Sequence, residues 1–341
     1  MIRVGIIGLG WAGQRHYQSA SASGAEVSAI ADIDEEKLKK RKEGWGVEHA
    51  FNDYREMLDS EIVDAVVIAL PHDLHREVAL RSAEAGLHIL CEKPIAISVE
   101  EADAMIDCAH ENGVILMVAE SNRYDSLTEK IEDILRDNRI GTPVFATWND
   151  LHKFDTWGYK DREWLNDPKR AGGGHWITRG IHLVSPLRAW FRATGAGDVH
   201  EVFAREYRSP SFKAPRGIEG NMSALLVFDG GQTARINMGV EVENYHRFNE
   251  IYIHGTAGSL VASRRNYSLD LYSGNVERPE TLRMKPRSSF EREMQHFLHC
   301  IETNSDPRTS GIEERNSLAV VEAGYRSMSE DRAIEVEMRK S

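Results

Sequence analysis

Arg3-Val4-Gly5-Ile6-Ile7-Gly8-Leu9-Gly10-Trp11-Ala12-Gly13 decides the fold of this chain. A short apolar strand turns on glycines into a helical segment. Gly8 suits the tight turn, Gly10 lets the backbone approach a phosphate, and Gly13 lets helix and strand pack closely. The helix that begins around Trp11 and Ala12 then presents free N–H donors and a partial positive charge to an anion. Asp32 follows nineteen residues after Gly13, at the end of a second apolar run. A carboxylate at that point can bond both ribose hydroxyls and repels a 2′-phosphate, and no Arg or Ser follows at once. The spacing predicts a dinucleotide ligand, NAD in preference to NADP. Asp32 can also start the next helix, a role compatible with the first.

From this motif the strand–helix rhythm continues for about 120 residues. Val27–Ala31 reads as a strand and Asp34–Glu43 as a helix stopped by Gly44. Val63–Leu70 is β-branched and apolar, as a strand buried on both faces should be. His72–Ala85 reads as a helix ended by Gly86, and His88–Cys91 as the next strand. Ser98 and Glu101 form a capping box ahead of a helical stripe, Ala102, Met105, Ile106 and Ala109. Gly113 closes that helix before strand Val114–Ala119. The rhythm predicts a doubly wound parallel sheet with its ligand at the carboxyl ends of the strands.

Beyond about Ser121 the texture changes. A helix is expected near Ser126–Asp137. Ala234, Ile236, Met238 and Val240 then alternate with polar or small neighbours, a half-buried strand joined through Asp229-Gly230-Gly231 to Asn221–Phe228. Further strands are expected at Phe248–His254, Ser259–Ser263 and Leu269–Ser273, with helices near Gly180–Phe191, Ser289–Thr303 and Ile312–Ser329. These make a second α/β domain, 122–341, with an open, largely antiparallel sheet, after a first domain over 1–121. The broad sheet face suits a homodimer or homotetramer interface.

The 341 residues exceed one comfortable core and carry a net charge of −12, which disfavours nonspecific nucleic-acid binding. No apolar run reaches the ~20 residues of a membrane span, and the first strand begins too early to leave room for a secretory leader. Three scattered cysteines, Cys91, Cys108 and Cys300, make no disulfide framework and suit a reducing cytoplasm. His296, His299 and Cys300 share a helical region without a third ligand at a recognised spacing, so no metal is expected.

Cys91-Glu92-Lys93-Pro94 closes the fifth strand at the ligand edge of the sheet. A lysine there can lie beside a nicotinamide and serve acid–base chemistry, and the proline behind it is a candidate for a cis bond. Together with the glycine loop, Asp32, Leu70-Pro71-His72-Asp73-Leu74-His75 and Glu92-Lys93-Pro94, the chain resembles the glucose–fructose oxidoreductase/inositol dehydrogenase/rhizopine catabolism family. The resemblance runs nearly the whole length, through Arg123, Ala171-Gly172-Gly173-Gly174, His182 and His254-Gly255-Thr256-Ala257-Gly258-Ser259.

It implies an N-terminal Rossmann domain, a C-terminal α/β domain, and reversible hydride transfer between NAD(P) and a hydroxyl carbon of a sugar, cyclitol or related polyol. By position it implies that Lys93 contacts substrate and nicotinamide and that His182 exchanges the hydroxyl proton. Glu92 and Pro94 would hold the lysine, Leu70, Pro71, His72 and His75 would line the cofactor, and Arg123 would face substrate.

The departures are local. Typical members carry aspartates where this chain has Thr178 and Ser185, leaving proton handling to His182 and Lys93. Arg179 suggests a sugar-derived acid held through bidentate bonds, unless it pairs with an acidic residue of its own helix. His152, Lys153, Asp155, Trp157 and Tyr159 follow the first strand of the second domain and are candidates to line a sugar pocket. Two rival functions stay open: an NAD-retaining glycosidase or lyase that oxidises its substrate transiently, and a non-catalytic NAD or sugar sensor.

Overall fold

A computed structural model of the chain describes residues 1–152, 162–210, 212–242, 248–274 and 276–340. Lys153, Asp155, Trp157 and Tyr159 lie outside the described residues. The chain divides into two compact units, Met1–Tyr124 with Ser288–Arg315, and Asp125–Arg287 with Asn316–Arg339.

In the first unit six strands form one parallel sheet: β1 (Arg3–Ile7), β2 (Glu26–Ala31), β3 (His49–Phe51), β4 (Ala65–Ile68), β5 (His88–Glu92) and β6 (Leu116–Ala119). Their order is β3-β2-β1-β4-β5-β6, with the topological switch between β1 and β4. The helices are α1 (Trp11–Ala22), α2 (Glu35–Trp45), α3 (Tyr54–Leu58), α4 (His75–Glu84) and α5 (Val99–Glu111). All four residues of β4 are buried, as expected for a strand covered on both faces. The stripe on α5 is the buried set Ala102, Met105, Ile106 and Ala109, and Ser98 Oγ caps it by accepting the Glu101 N–H at 3.3 Å.

Two expected boundaries moved for local reasons. Gly44 lies inside α2, which runs on to Gly46, whose φ of 68° supplies the left-handed cap. The segment expected as one helix from His72 begins as a short 3₁₀ turn, His72–Leu74, before α4.

The second unit contains α6 (Ser126–Arg136), β7 (Pro143–Leu151), α7 (Pro168–Ala171) and α8 (Ile181–Ala193). It continues with β8 (Val199–Glu206), β9 (Asn221–Phe228), β10 (Thr233–Gly239), β11 (Phe248–Gly255), β12 (Gly258–Ser263), β13 (Ser268–Ser273) and β14 (Glu280–Arg283). The sheet has nine strands in the order β14-β13-β12-β11-β7-β10-β9-β8-β15, where β15 is Ile334–Glu335. Every neighbouring pair is antiparallel except β7–β10, which runs parallel. Trp148 of β7 and Trp190 of α8 stack at 5.4 Å between centroids in its core. Phe145, Phe203 and Phe248 remain exposed at the surface of β7, β8 and β11.

The expected single boundary after residue 121 lies three residues before the division at Tyr124, and the first unit also takes in the later segment Ser288–Arg315. Helix α9 (Ser289–Thr303) returns to the first unit, because Met294, Phe297 and Leu298 join the core of Val4, Ile6 and Leu9. Burial of side chains of that size contributes roughly 1.5–3 kcal/mol each. The last long helix, α10 (Gly311–Glu330), begins with residues of the first unit and continues in the second.

Candidate active site

The glycine loop is built as a cradle. Gly8 has φ 91°, and a Cβ there would stand 2.3 Å from Ala69 O. A Cβ on Gly13 would stand 1.9 Å from Gly8 O, so α1 packs onto the loop only with glycine. Gly10 faces open space, with nothing within 4 Å of a Cβ position. It is the N-cap of α1 and makes no side-chain cap bond, and no acidic residue occupies the first turn, where Trp11 is exposed and Ala12 partly so. These features fit a dinucleotide pyrophosphate.

Asp32 organises the same loop. Its Oδ2 accepts the Leu9 N–H at 2.8 Å and its Oδ1 accepts the Asp34 N–H at 2.9 Å. A carboxylate offers about four acceptor positions, which leaves capacity for ribose hydroxyls. Lys37 places its ammonium 3.4 Å from Asp32 and 3.5 Å from Asp34. The sequence reading missed this cation, because it arrives one turn into α2.

The next strand ends are tied by one histidine. His75 is fully buried, its Nδ1 2.9 Å from Pro94 O and its Nε2 3.0 Å from Leu70 O. Burial lowers its pKa, and the neutral ring donates to only one of these carbonyls. His75 thus joins the Leu70-Pro71 turn to the Lys93-Pro94 turn, with buried His72 5.7 Å away between ring centroids. The Lys93–Pro94 bond is cis. Glu92 accepts the Lys93 N–H at 3.2 Å through Oε2, and its Oε1 lies 2.8 Å from Nε2 of buried His16. Arg123, in the turn after β6, is 5 % exposed and receives the Arg308 guanidinium on its carbonyl at 3.0 Å.

In the second unit the glycine-rich segment is pinned by Glu219, which sequence reasoning did not single out. Its carboxylate accepts N–H groups from Gly174 at 3.1 Å and Trp176 at 2.5 Å, and the Tyr325 hydroxyl at 3.0 Å. A Cβ on Gly174 would stand 2.6 Å from Glu219 N. Burial pushes the Glu219 carboxyl up to about 7, against the pull of those donors.

The pinned segment leads through a π-turn, Trp176–Gly180, into α8, where His182 is second and half-buried. Thr178 donates its hydroxyl to Gly174 O at 2.8 Å. Arg179 sets Nε 2.5 Å from Oδ2 of Asp150, which is fully buried on β7 and also accepts Asn249 Nδ2 at 3.0 Å. Its partner is therefore a strand aspartate, not an acid of its own helix. His152 lies 3.9 Å from Asp150 and 5.7 Å, ring to ring, from His175.

The description "Oxidoreductase family, NAD-binding Rossmann fold" matches residues 2–120, and "GFO/IDH/MocA C-terminal domain" matches 128–261. The chain belongs to the GFO/IDH/MocA oxidoreductase family. An uncharacterized oxidoreductase of Rhizobium meliloti is 32% identical over 76% of this chain and 74% of its own length. D-xylose 1-dehydrogenase (NADP(+)) 2 of Haloferax volcanii is 28% identical over 98% of this chain and 99% of its own. Among solved structures, levoglucosan dehydrogenase in complex with NADH and levoglucosan superposes with a TM-score of 0.89. It is 21% identical and covers 99% of this chain and 100% of its own, a likeness of fold.

In this GFO/IDH/MocA oxidoreductase the residues expected to hold the dinucleotide, with Lys93 among them, lie in the first unit. His182, Thr178 and Arg179 belong to the second. His296, weighed as a metal ligand, instead accepts the Arg308 N–H at 2.9 Å. Among the described residues no helix is long and apolar enough to cross a membrane.

Proposed function

We propose that this oxidoreductase transfers hydride reversibly between NAD and a hydroxyl carbon of a neutral sugar or cyclitol. The observation that carries the reading is Lys93, at the carboxyl end of β5 behind the dinucleotide cradle and fixed on both sides by Glu92 and the His75-held Pro94. Bound NAD supplies the hydride acceptor. The Lys93 ammonium polarises the substrate oxygen, since stabilising developing charge is usually the largest catalytic term. His182 takes the hydroxyl proton and returns it in the reverse direction.

Two details narrow the reading. Lys37 is shared by Asp32 and Asp34, so two carboxylates against one ammonium disfavour a 2′-phosphate and support NAD over NADP. Arg179 is neutralised by buried Asp150, which removes the main reason to expect a sugar-derived acid. We also assign the exposed face bearing Phe145, Phe203 and Phe248 to a homodimer or homotetramer interface.

A screen of sugars, cyclitols and uronic acids with NAD identifies the substrate. On that substrate, Lys93→Ala lowers kcat at least ~10²-fold and leaves NADH binding in place. Near-normal turnover in the variant contradicts the assignment.

A further inference from the structure

Four carboxyl groups act on one another at the carboxyl end of the parallel sheet in the first unit. Glu92 ends β5, Glu120 follows β6, Glu293 projects from α9, and Glu314 belongs to the first turn of α10. Glu120 and Glu293 are fully buried, and Glu314 is 2 % exposed. Glu293 has no hydrogen-bond partner on either oxygen among the described residues. Burial, with Glu92, Glu120 and Glu314 nearby, holds it as the neutral acid.

Glu120 stands differently. Its Oε1 accepts the Asn122 N–H at 3.1 Å, and the Lys93 ammonium and Arg123 guanidinium both favour its charged form. Burial pushes it up to about 7, and Lys93 is the strongest influence drawing it back down. The register explains the pairing. Cys91 faces Val118 and Glu92 faces Ala119, so Lys93 and Glu120 each follow the last matched pair on adjacent strands. Such strand ends lie about 4.8 Å apart.

We propose that Glu120 is the positioning residue of Lys93, a buried carboxylate that holds the lysine ammonium at the sheet end and keeps it charged. This rests on Lys93 being the group that polarises the substrate oxygen. A cation helps a developing alkoxide only while it is protonated, and a lysine in a desolvated setting loses its proton unless an anion faces it.

The charged and titratable groups around Glu120 allot the roles. From β5 come Glu92 and Lys93, from the turn after β6 Arg123, from α9 Glu293, and from α10, through Glu293, Glu314. Glu92 is already engaged by His16, and neutral Glu293 offers no charge. Lys93 and Arg123 both act on Glu120 as cations; a second cation nearby favours loss of the lysine proton, and the Glu120 carboxylate offsets that repulsion.

The test reads the lysine directly, without nucleotide or sugar. Lysine labelled with carbon-13 at Cε reports its own titration by NMR, the Lys93 signal being the one lost in Lys93→Arg. Glu120→Gln, nearly isosteric and still able to accept the Asn122 N–H, lowers the Lys93 pKa by about one unit or more, tenfold in its dissociation constant. Glu120→Asp keeps the charge and gives a smaller fall, and it carries the test if Glu120→Gln does not fold. Glu293→Gln leaves the titration in place.

An unchanged Lys93 titration in a folded Glu120 variant overturns the proposal, as does an equal fall in Glu293→Gln. On a turned-over substrate the alkaline limb of kcat moves to lower pH in Glu120→Gln. The NMR titration stands or falls apart from Lys93→Ala kinetics, so failure of this pairing is distinguishable from failure of the proposed function.

Discussion

Asp32 holds the glycine loop through the Leu9 N–H, and we propose that it also holds the ribose edge. Removing its carboxylate frees Leu9 and Asp34 N–H groups and releases Lys37 from its stronger restraint. Asp32→Ala therefore weakens NADH binding and improves NADPH binding, shifting the ratio of their dissociation constants by about tenfold or more. Fluorescence titration with the two nucleotides checks this, and an unchanged ratio contradicts it. Arg179→Ala, which strands buried Asp150, lowers turnover of a neutral sugar and of its uronic acid alike. A selective loss for the acid would restore the anion reading.

At this scale the close packing at Gly8 and Gly13 and the cis bond after Lys93 were legible because their signals sit within a few residues of the turns they make. Lys37, Asp150 and Glu120 were not, because each acquires its meaning only when a helix turn, a strand or a register brings it to a distant partner.

Elements were legible where a local rule set them. The Ser98 cap and buried stripe of α5 follow from spacing alone, as do the strand Asn221–Phe228 and the alternation in β10. Tertiary contacts decided the rest: α9 reads as an amphipathic helix, but nothing in its own sequence says that its apolar side completes the first unit. The segment Gly172–Gly174 reads as a loop, and Glu219, forty-five residues beyond Gly174, is what fixes it.

Two substitutions test these elements. Gly13→Ala forces a Cβ onto Gly8 O and abolishes NADH binding, measured by fluorescence, while unit two keeps its fold. Gly174→Ala collides with Glu219 and lowers kcat on the identified substrate by ~10-fold or more, with NADH affinity unchanged. Retained NADH affinity in the first, or lost NADH affinity in the second, contradicts the assignment of each loop to its role.

For the whole molecule the charge balance sets a pH dependence. Glu120 in the first unit and Glu219 in the second are each raised to about 7 by burial from an ordinary value of 4.5. Their contribution to stability is fully present below the ordinary value and is lost as pH rises through about 7. Stability against thermal unfolding should therefore fall between about pH 5 and about pH 8, by up to roughly 3 kcal/mol per group, and Glu219→Gln should flatten the slope. A slope of opposite sign, unchanged in Glu219→Gln, contradicts the burial assignment.

Phe145→Asp on the exposed sheet face should reduce the native mass seen by light scattering to that of a monomer. An unchanged mass sinks that interface. The fold class was readable from rhythm and the dinucleotide from one loop, but the reaction itself is a property of the assembled chain. It is tested most directly by the stoichiometry of turnover on the sugar or cyclitol that the screen identifies. The account predicts one NADH formed for each hydroxyl oxidised. Product without net NADH, or NAD binding without turnover of any member of the panel, would contradict it.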